Sequence, residues 1–302
     1  MAGALFRSLG ESRRARDLLT GNVLGRRLAR RFVAGETLDD AVVAVEELNG
    51  RGLDAAIALL GEHAPSEEEA SRAVAVYQHA ASRIHSRSLS AYLSPKLTQL
   101  GLDLSEDLCR RQLRSILQAA EEAGVFVRID MEGSRYTETT LRVVEDLHRE
   151  FPAVGTVLQS YLRRTPDDLE RLLAQEIPVR LVKGAYSEPH SIAFPTQEEV
   201  ERAYESLTAR LLEASPRAAI ATHNDRLLGY ARKLAVAREI PLSGFEFQML
   251  YGIRRAEQER LAAAGYSVRV YVPFGPDWFA YFMRRLGERP ANAVFLLRNI
   301  LR

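Results

Sequence analysis

Apolar positions along the chain gather into eight short runs: Ala55–Gly61, Ala91–Lys96, Val125–Asp130, Val154–Ser160, Pro178–Lys183, Ala219–His223, Phe245–Gln248 and Ser267–Pro273. They are nearly continuous rather than alternating, as strands must be when both faces of a parallel sheet are covered. Between them lie stretches of roughly 20–30 residues with the three-to-four periodicity of amphipathic helices, which is βα spacing. The pattern predicts an α/β protein, a (β/α)8 TIM-like barrel, with its site at the carboxyl ends of the strands.

Helix signals fill the gaps. Thr37 with Asp40 opens a helix through Ala41–Leu48 that stops at Asn49–Gly50, so residues 1–50 read as a helical arm ahead of a barrel at 51–302. Ser66 and Glu69 form a capping box before Ala70–Ser82. Ser105–Ala123, Thr137–Glu150, Pro166–Gln175, Gln197–Glu213, Arg226–Glu239 and Arg255–Gly265 repeat the plan. After Phe274-Gly275-Pro276 comes a helix over Asp277–Gly287, and Pro290 opens a last one. Trp278, Phe279, Tyr281, Phe282, Met283 and Leu286 surround most of the first of these, so it is predicted to be buried on several sides. Arg284 and Arg285 on such a helix need partners.

Composition narrows the class. The 302 residues are 46% apolar and 27% charged, ordinary for a soluble enzyme. A net charge of +1, with no basic run interleaved with aromatics, argues for no nucleic acid partner. Cys109 is the only cysteine, which excludes internal disulfides and cysteine-rich metal sites and fits a reducing cytoplasm. The six histidines lack paired ligand spacing, so no metal is expected. No apolar run reaches the ~18 residues of a spanning helix, and Met1–Leu28 lacks the core of a signal peptide. That segment is rich in arginine. It reads as an amphipathic helix packed on the barrel, although a basic helix at a membrane surface or a transit peptide has the same composition.

The ends of the runs carry the chemistry, bringing Glu62, Lys96, Asp130, Gln159, Lys183, Thr222, His223, Gln248 and Tyr271 toward one rim. Arg180 and Lys183 sit in an apolar strand, where cations are costly unless they meet an anion or a polar ring. Gly184 lets a ligand approach the backbone. A structural ion pair with Asp130 or another rim acid is the plain alternative, and a Schiff-base lyase or aldolase using Lys183 is a second functional one. Thr222-His223-Asn224-Asp225 reads equally as a site segment and as a polar turn capping the next helix. Gln159 and Gln248 suit hydrogen bonds to a polar heterocycle. Asp130 reads as a site acid or as the partner of a lysine. Lys96, Arg284 and Arg285 together make an anion site suited to a carboxylate. Tyr186, Leu250 and Tyr271 supply its apolar walls. No Gly-rich phosphate loop is present, so a dinucleotide would be held by strand ends and loops.

Arg180-Leu181-Val182-Lys183-Gly184-Ala185-Tyr186, Ala221-Thr222-His223-Asn224, Phe245 to Gly252, and Tyr271-Val272-Pro273 with Arg284-Arg285 closely resemble the FAD-dependent proline dehydrogenases. Leu60-Gly61-Glu62, Lys96 to Gly101 and Val127-Arg128-Ile129-Asp130 extend the likeness from about Phe32 to the C-terminus. The short chain resembles the monofunctional bacterial form. The resemblance implies a distorted barrel whose last helix lies over the strand ends. It implies oxidation of L-proline to 1-pyrroline-5-carboxylate, the first step of proline catabolism, by hydride transfer from C5 to FAD N5, with reoxidation by a membrane quinone. It assigns Asp130 and Arg180 to catalysis. Lys96, Arg284 and Arg285 would bind the substrate carboxylate, and Tyr186, Leu250 and Tyr271 its ring. Met131, Gln159, Lys183, Gly184, Ala185, Thr222 and His223 would bind FAD, and Glu62 would gate the site. Ser187 departs from the tryptophan that often follows this tyrosine in bifunctional members.

Overall fold

A computed structural model describes residues 29–215 and 217–287. Eight parallel strands close into a barrel in sequence order: β1 (Asp54–Leu59), β2 (Ala91–Leu93), β3 (Val127–Ile129), β4 (Val154–Gln159), β5 (Val179–Val182), β6 (Ala218–Ala221), β7 (Phe245–Leu250) and β8 (Ser267–Phe274). Closure comes from β1 pairing with β8, in register from Asp54 with Arg269 to Leu59 with Phe274. Each predicted run overlaps one strand.

The edges differ for local reasons. The run ending at Lys96 is a strand only to Leu93, because Pro95 has no N–H to donate and the chain turns away there. The run from Val125 begins pairing at Val127, since Val125 still closes the preceding helix. Its N–H donates to the Ala120 carbonyl at 2.8 Å, with Gly124 at φ +69°, a Schellman-type ending. Gln248 does not end its strand, which continues to Leu250.

The helices are α1 (Leu38–Asn49), α2 (Glu67–Ser86), α3 (Glu106–Glu122), α4 (Thr137–His148), α5 (Thr165–Leu173), α6 (Gln197–Ala214), α7 (Asp225–Ala237), α8 (Arg255–Ala263) and α9 (Trp278–Gly287). The expected arm helix before residue 29 and the helix after Pro290 lie outside the described residues. At α1 the capping box is complete: Asp40 N–H donates to Thr37 Oγ1 at 3.2 Å and Thr37 N–H to Asp40 Oδ2 at 3.0 Å. At α2 only half of the expected box forms. Glu69 N–H donates to Ser66 Oγ at 3.3 Å, but the Glu69 carboxylate turns to Arg72 at 2.6 Å. A charged partner one turn on outcompetes a neutral backbone N–H.

Helix and strand faces share one continuous core, which includes Ala41, Val45 and Leu48 of α1. α9 belongs to a separate cluster. Trp278, Phe279, Tyr281, Phe282 and Met283 are all buried, against Ala29, Phe32, Val33 and Leu60 rather than the barrel wall. Trp278 Nε1 donates to Glu36 at 2.9 Å, and Ala34 N–H to the Pro273 carbonyl at 2.9 Å. The segment before α1 therefore straps α9 to the end of β8. No helix among the described residues is long and apolar enough to cross a membrane.

Thr37→Ala removes a complete box and should cost about 1 kcal/mol, whereas Ser66→Ala removes half of one and should cost less. Urea unfolding of the two variants tests the ranking, and equal losses would show that the reciprocal bond adds nothing.

Candidate active site

Strand alternation puts every second side chain into the barrel lumen. In β7 that face carries Glu246, Gln248 and Leu250, and in β8 it carries Arg269 and Tyr271. Arg269 Nε donates to Glu246 Oε2 at 2.9 Å, which confirms the shared face. Arg128 enters from β3 and lies over the Phe126 and Tyr92 rings at 5.0 and 5.5 Å. Its guanidinium donates to the Thr156 and Pro178 carbonyls at 3.3 and 3.2 Å. These groups form a polar floor.

Asp130 stands one layer higher and is buried. Its Oδ1 accepts from Ser94 Oγ at 2.7 Å and from the Arg180 guanidinium. Its Oδ2 accepts from the Tyr271 hydroxyl at 2.8 Å, with Lys96 Nζ at 3.8 Å. Arg180 also donates to Gln248 Oε1 at 3.3 Å and lies over the Tyr271 ring at 5.5 Å. Gln248 is held in turn by Tyr92, to whose oxygen its Nε2 donates at 2.8 Å. Burial is the largest influence on Lys96 and Arg180 and opposes their charges. Asp130 acting with its neighbours (Tyr77 and Glu62 for Lys96, Tyr92 and Tyr271 for Arg180) outweighs it, and each is held above its ordinary value. Burial first, and then Asp130, push the Tyr271 phenol well above 10, so it stays neutral.

Above this cluster opens a cavity of about 1320 Å³. Glu62, Lys96, Asp130, Met131, Gln159, Arg180, Lys183, Gly184, Ala185, Tyr186, Thr222, His223, Leu250, Tyr271 and Arg285 all border it. The side chain of Arg284 lies outside the described residues. Phe279, Ala280 and Tyr281 of α9 border the same space. α9 therefore crosses the strand ends, as expected of the last helix.

Several structural alternatives are realised within the cavity wall itself. Arg180 does pair with Asp130, but Lys183 pairs with Glu201 at 2.8 Å. Asn224 caps α7 through Oδ1, which accepts from Arg226 N–H at 2.8 Å, while Thr222 and His223 face the cavity. His223 Nε2 accepts the Leu250 N–H at 3.0 Å, and its carbonyl accepts from Arg254 Nη1 at 2.6 Å. Its orientation is therefore fixed by two neighbours. Gln159 Nε2 donates to the carbonyls of Met131 and Glu132 at 3.3 and 3.1 Å. Its Oε1 is buried without a partner. Gly184 has φ +115°, and a Cβ there would lie 2.3 Å from the Tyr161 ring. Only glycine fits that turn.

Sequence reasoning missed Ser94, Tyr92, Gln197, Glu201, Asp277 and Tyr281. Ser94 was findable, since it stands two residues before Lys96 on the same lumen-facing alternation. Tyr281 lay within an aromatic run already read as core.

The fold and its buried carboxylate–cation cluster define a TIM-like barrel enzyme that gathers its site at the strand carboxyl ends. A family profile described as proline dehydrogenase matches residues 41–298. The chain is 46% identical over 274 residues to proline dehydrogenase 1 of Bacillus subtilis (strain 168), covering 91% of each chain. It is 40% identical over 280 residues to proline dehydrogenase of Deinococcus radiodurans, covering 91% of this chain and 90% of that one. Among solved structures, proline utilization A from Bdellovibrio bacteriovorus inactivated by N-propargylglycine superposes with a TM-score of 0.80 at 28% identity. That match covers 87% of this chain but 32% of the longer protein. The chain belongs to the proline dehydrogenase family, spans about nine-tenths of these short bacterial relatives, and is an oxidoreductase acting on proline.

Asp130→Ala leaves Arg180 buried without its carboxylate and should destabilise the protein by about 3–5 kcal/mol. Replacing both partners, as D130L with R180M, should recover most of that loss. Thermal unfolding decides it, and a double variant as unstable as the single one would mean that packing, not charge, is what fails.

Proposed function

We propose that the chain oxidises L-proline to 1-pyrroline-5-carboxylate with FAD held in the barrel mouth and a membrane quinone as final electron acceptor. Proline oxidation is the first step of proline catabolism, and family membership carries that much. The observation that supports the finer reading is the Asp130 cluster beneath a cavity of about 1320 Å³, far more room than a five-membered amino acid needs. The wall also fits a flat heterocycle. The unpartnered Gln159 Oε1 can accept a ring N–H, and Lys183, Gly184 and Ala185 border the same cavity.

In this reading Met131, Gln159, Lys183, Gly184, Ala185, Thr222 and His223 hold FAD. Bound there, FAD supplies a hydride acceptor, N5, for the hydrogen on proline C5. Lys96 and Arg285, with Arg284 next to Arg285 in sequence, hold the substrate carboxylate. Tyr186, Leu250 and the neutral phenol of Tyr271 enclose the ring. The substrate amine must lose its proton before its lone pair can form C=N, and the neighbouring cations favour the neutral amine by repulsion. Arg180, steadied by Asp130 and Gln248, offers positive charge where electrons arrive. Glu62 closes the site from the rim. The arginine-rich segment before residue 29 docks at the membrane surface where the quinone resides.

A Schiff-base reaction at Lys183 is not favoured. Its ammonium is ion-paired to Glu201, and a nucleophilic lysine has to be neutral.

The test is a visible spectrum. The purified protein should be yellow and should bleach on adding L-proline without oxygen, and a colourless protein that takes up no FAD would end this reading. Arg285→Ala should raise KM for L-proline about 10- to 100-fold while flavin content holds, the range expected for losing a charge-assisted pair. Loss of flavin with unchanged KM would move Arg285 to the cofactor.

A pH prediction follows from Lys96, whose value is raised above its ordinary 10.5. A raised base keeps its favourable charge below the ordinary value and loses it only as pH climbs through the higher one. Affinity for cyclopentanecarboxylate, which lacks the titrating amine, should therefore stay level from pH 7 to about 10. A decline beginning near pH 8 would contradict it.

A further inference from the structure

Glu201 lies in the second turn of α6, behind the cavity wall rather than on it. Its Oε1 accepts from Lys183 Nζ at 2.8 Å, Gln197 Nε2 at 2.9 Å and Asn224 Nδ2 at 2.8 Å. Its Oε2 faces Arg226 Nε at 3.4 Å. Lys183, Gln197 and Asn224 all border the cavity, and they come from the end of β5, the start of α6 and the loop after β6. One acid therefore gathers side chains from three separate pieces of the wall. The Glu201 side chain is only 13% exposed. The hydrogen bond from Lys183, and next that from Gln197, hold its carboxyl below the ordinary range, so it is an anion at neutral pH.

We propose that Glu201 is a positioning residue for the cofactor wall, holding Lys183, Gln197 and Asn224 in their binding arrangement before FAD arrives. This rests on the reading that this wall holds FAD. Released from the carboxylate, Lys183 and Gln197 would sample several rotamers, and binding would have to order them again, while Asn224 would keep only its hold on the start of α7. The carboxylate also cancels the Lys183 charge. Without it, the cofactor would stand beside an uncompensated cation, which favours the reduced, more negative flavin.

The experiment reconstitutes apoprotein with FAD and follows quenching of flavin fluorescence in wild type, E201Q, E201A, K183M and the E201Q/K183M double variant. E205Q serves as control, since Glu205 meets Arg226 at 3.1 Å. E201Q should raise the FAD Kd about tenfold. E201A, which loses the remaining acceptor as well, should raise it further, and E205Q should leave it unchanged. Because E201Q acts chiefly through Lys183, its effect on the K183M background should shrink to less than about threefold, the non-additivity of contacting residues. The midpoint potential of fully loaded E201Q should rise. An unchanged Kd in both Glu201 variants, fully additive losses with K183M, or an unmoved potential would each overturn the proposal. A wild-type apoprotein that takes up no FAD would instead overturn the reading beneath it.

Discussion

A carboxylate buried between two cations, away from water in the barrel lumen, is the constraint on which the site depends. Water-filled space would leave Asp130, Arg180 and Lys96 free to separate, whereas an apolar surrounding makes their separation costly. The strands around them supply neutral support to several of the remaining lone pairs and N–H groups, although Arg180 Nε stays buried without a partner. Ser94 and Tyr271 fill the Asp130 oxygens, and Gln248 takes the far side of Arg180. The arrangement can hold charge where chemistry needs it only because the layer below is equally fixed. Arg128 is clamped between aromatic rings and backbone carbonyls, and Arg269 ties β8 to Glu246 and to the Ala55 carbonyl.

Much of this was legible because a (β/α)8 barrel repeats one simple rule. Each apolar run bounded by turn residues became a strand, and helix starts such as Thr37 and Ser105 were marked by side chains that cap N–H groups. Strand ends were less legible, since pairing stops where a partner stops and not where apolar character does. Val125 is as apolar as Val127, yet it completes a helix ending. Asp130, Arg180 and Lys183 stood out because charge inside an apolar run demands a reason. Glu201 did not stand out. On the amphipathic helix α6, an acid that faces the site has the same sequence context as an acid that faces water.

The position of Lys96 illustrates how a local break serves the site. Pro95 ends the pairing of β2 early, and the chain leaves the strand there. The Pro95 carbonyl then accepts the Asp130 N–H at 2.9 Å, which couples the two loops that carry the lysine and its carboxylate. The short strand thus sets the 3.8 Å approach of Lys96 to Asp130. A longer β2 would carry the ammonium outward and leave the carboxylate to Arg180 alone.

The two acids divide the cations between two tasks. Asp130 is shared by Lys96 and Arg180, so this pair of cations is only partly neutralised, and positive charge persists at the floor of the cavity. Lys183 and Arg226 share Glu201, but Glu205 meets Arg226 as well, so two cations face two carboxylates and the wall above is locally balanced. A small anion therefore meets its strongest attraction low in the barrel, beside Tyr271, while a larger ring can lie along the wall without an unmatched ammonium against it. Under the proposed function, two cations on one carboxylate below and two cations on two carboxylates above would separate a substrate end from a cofactor end within a single cavity.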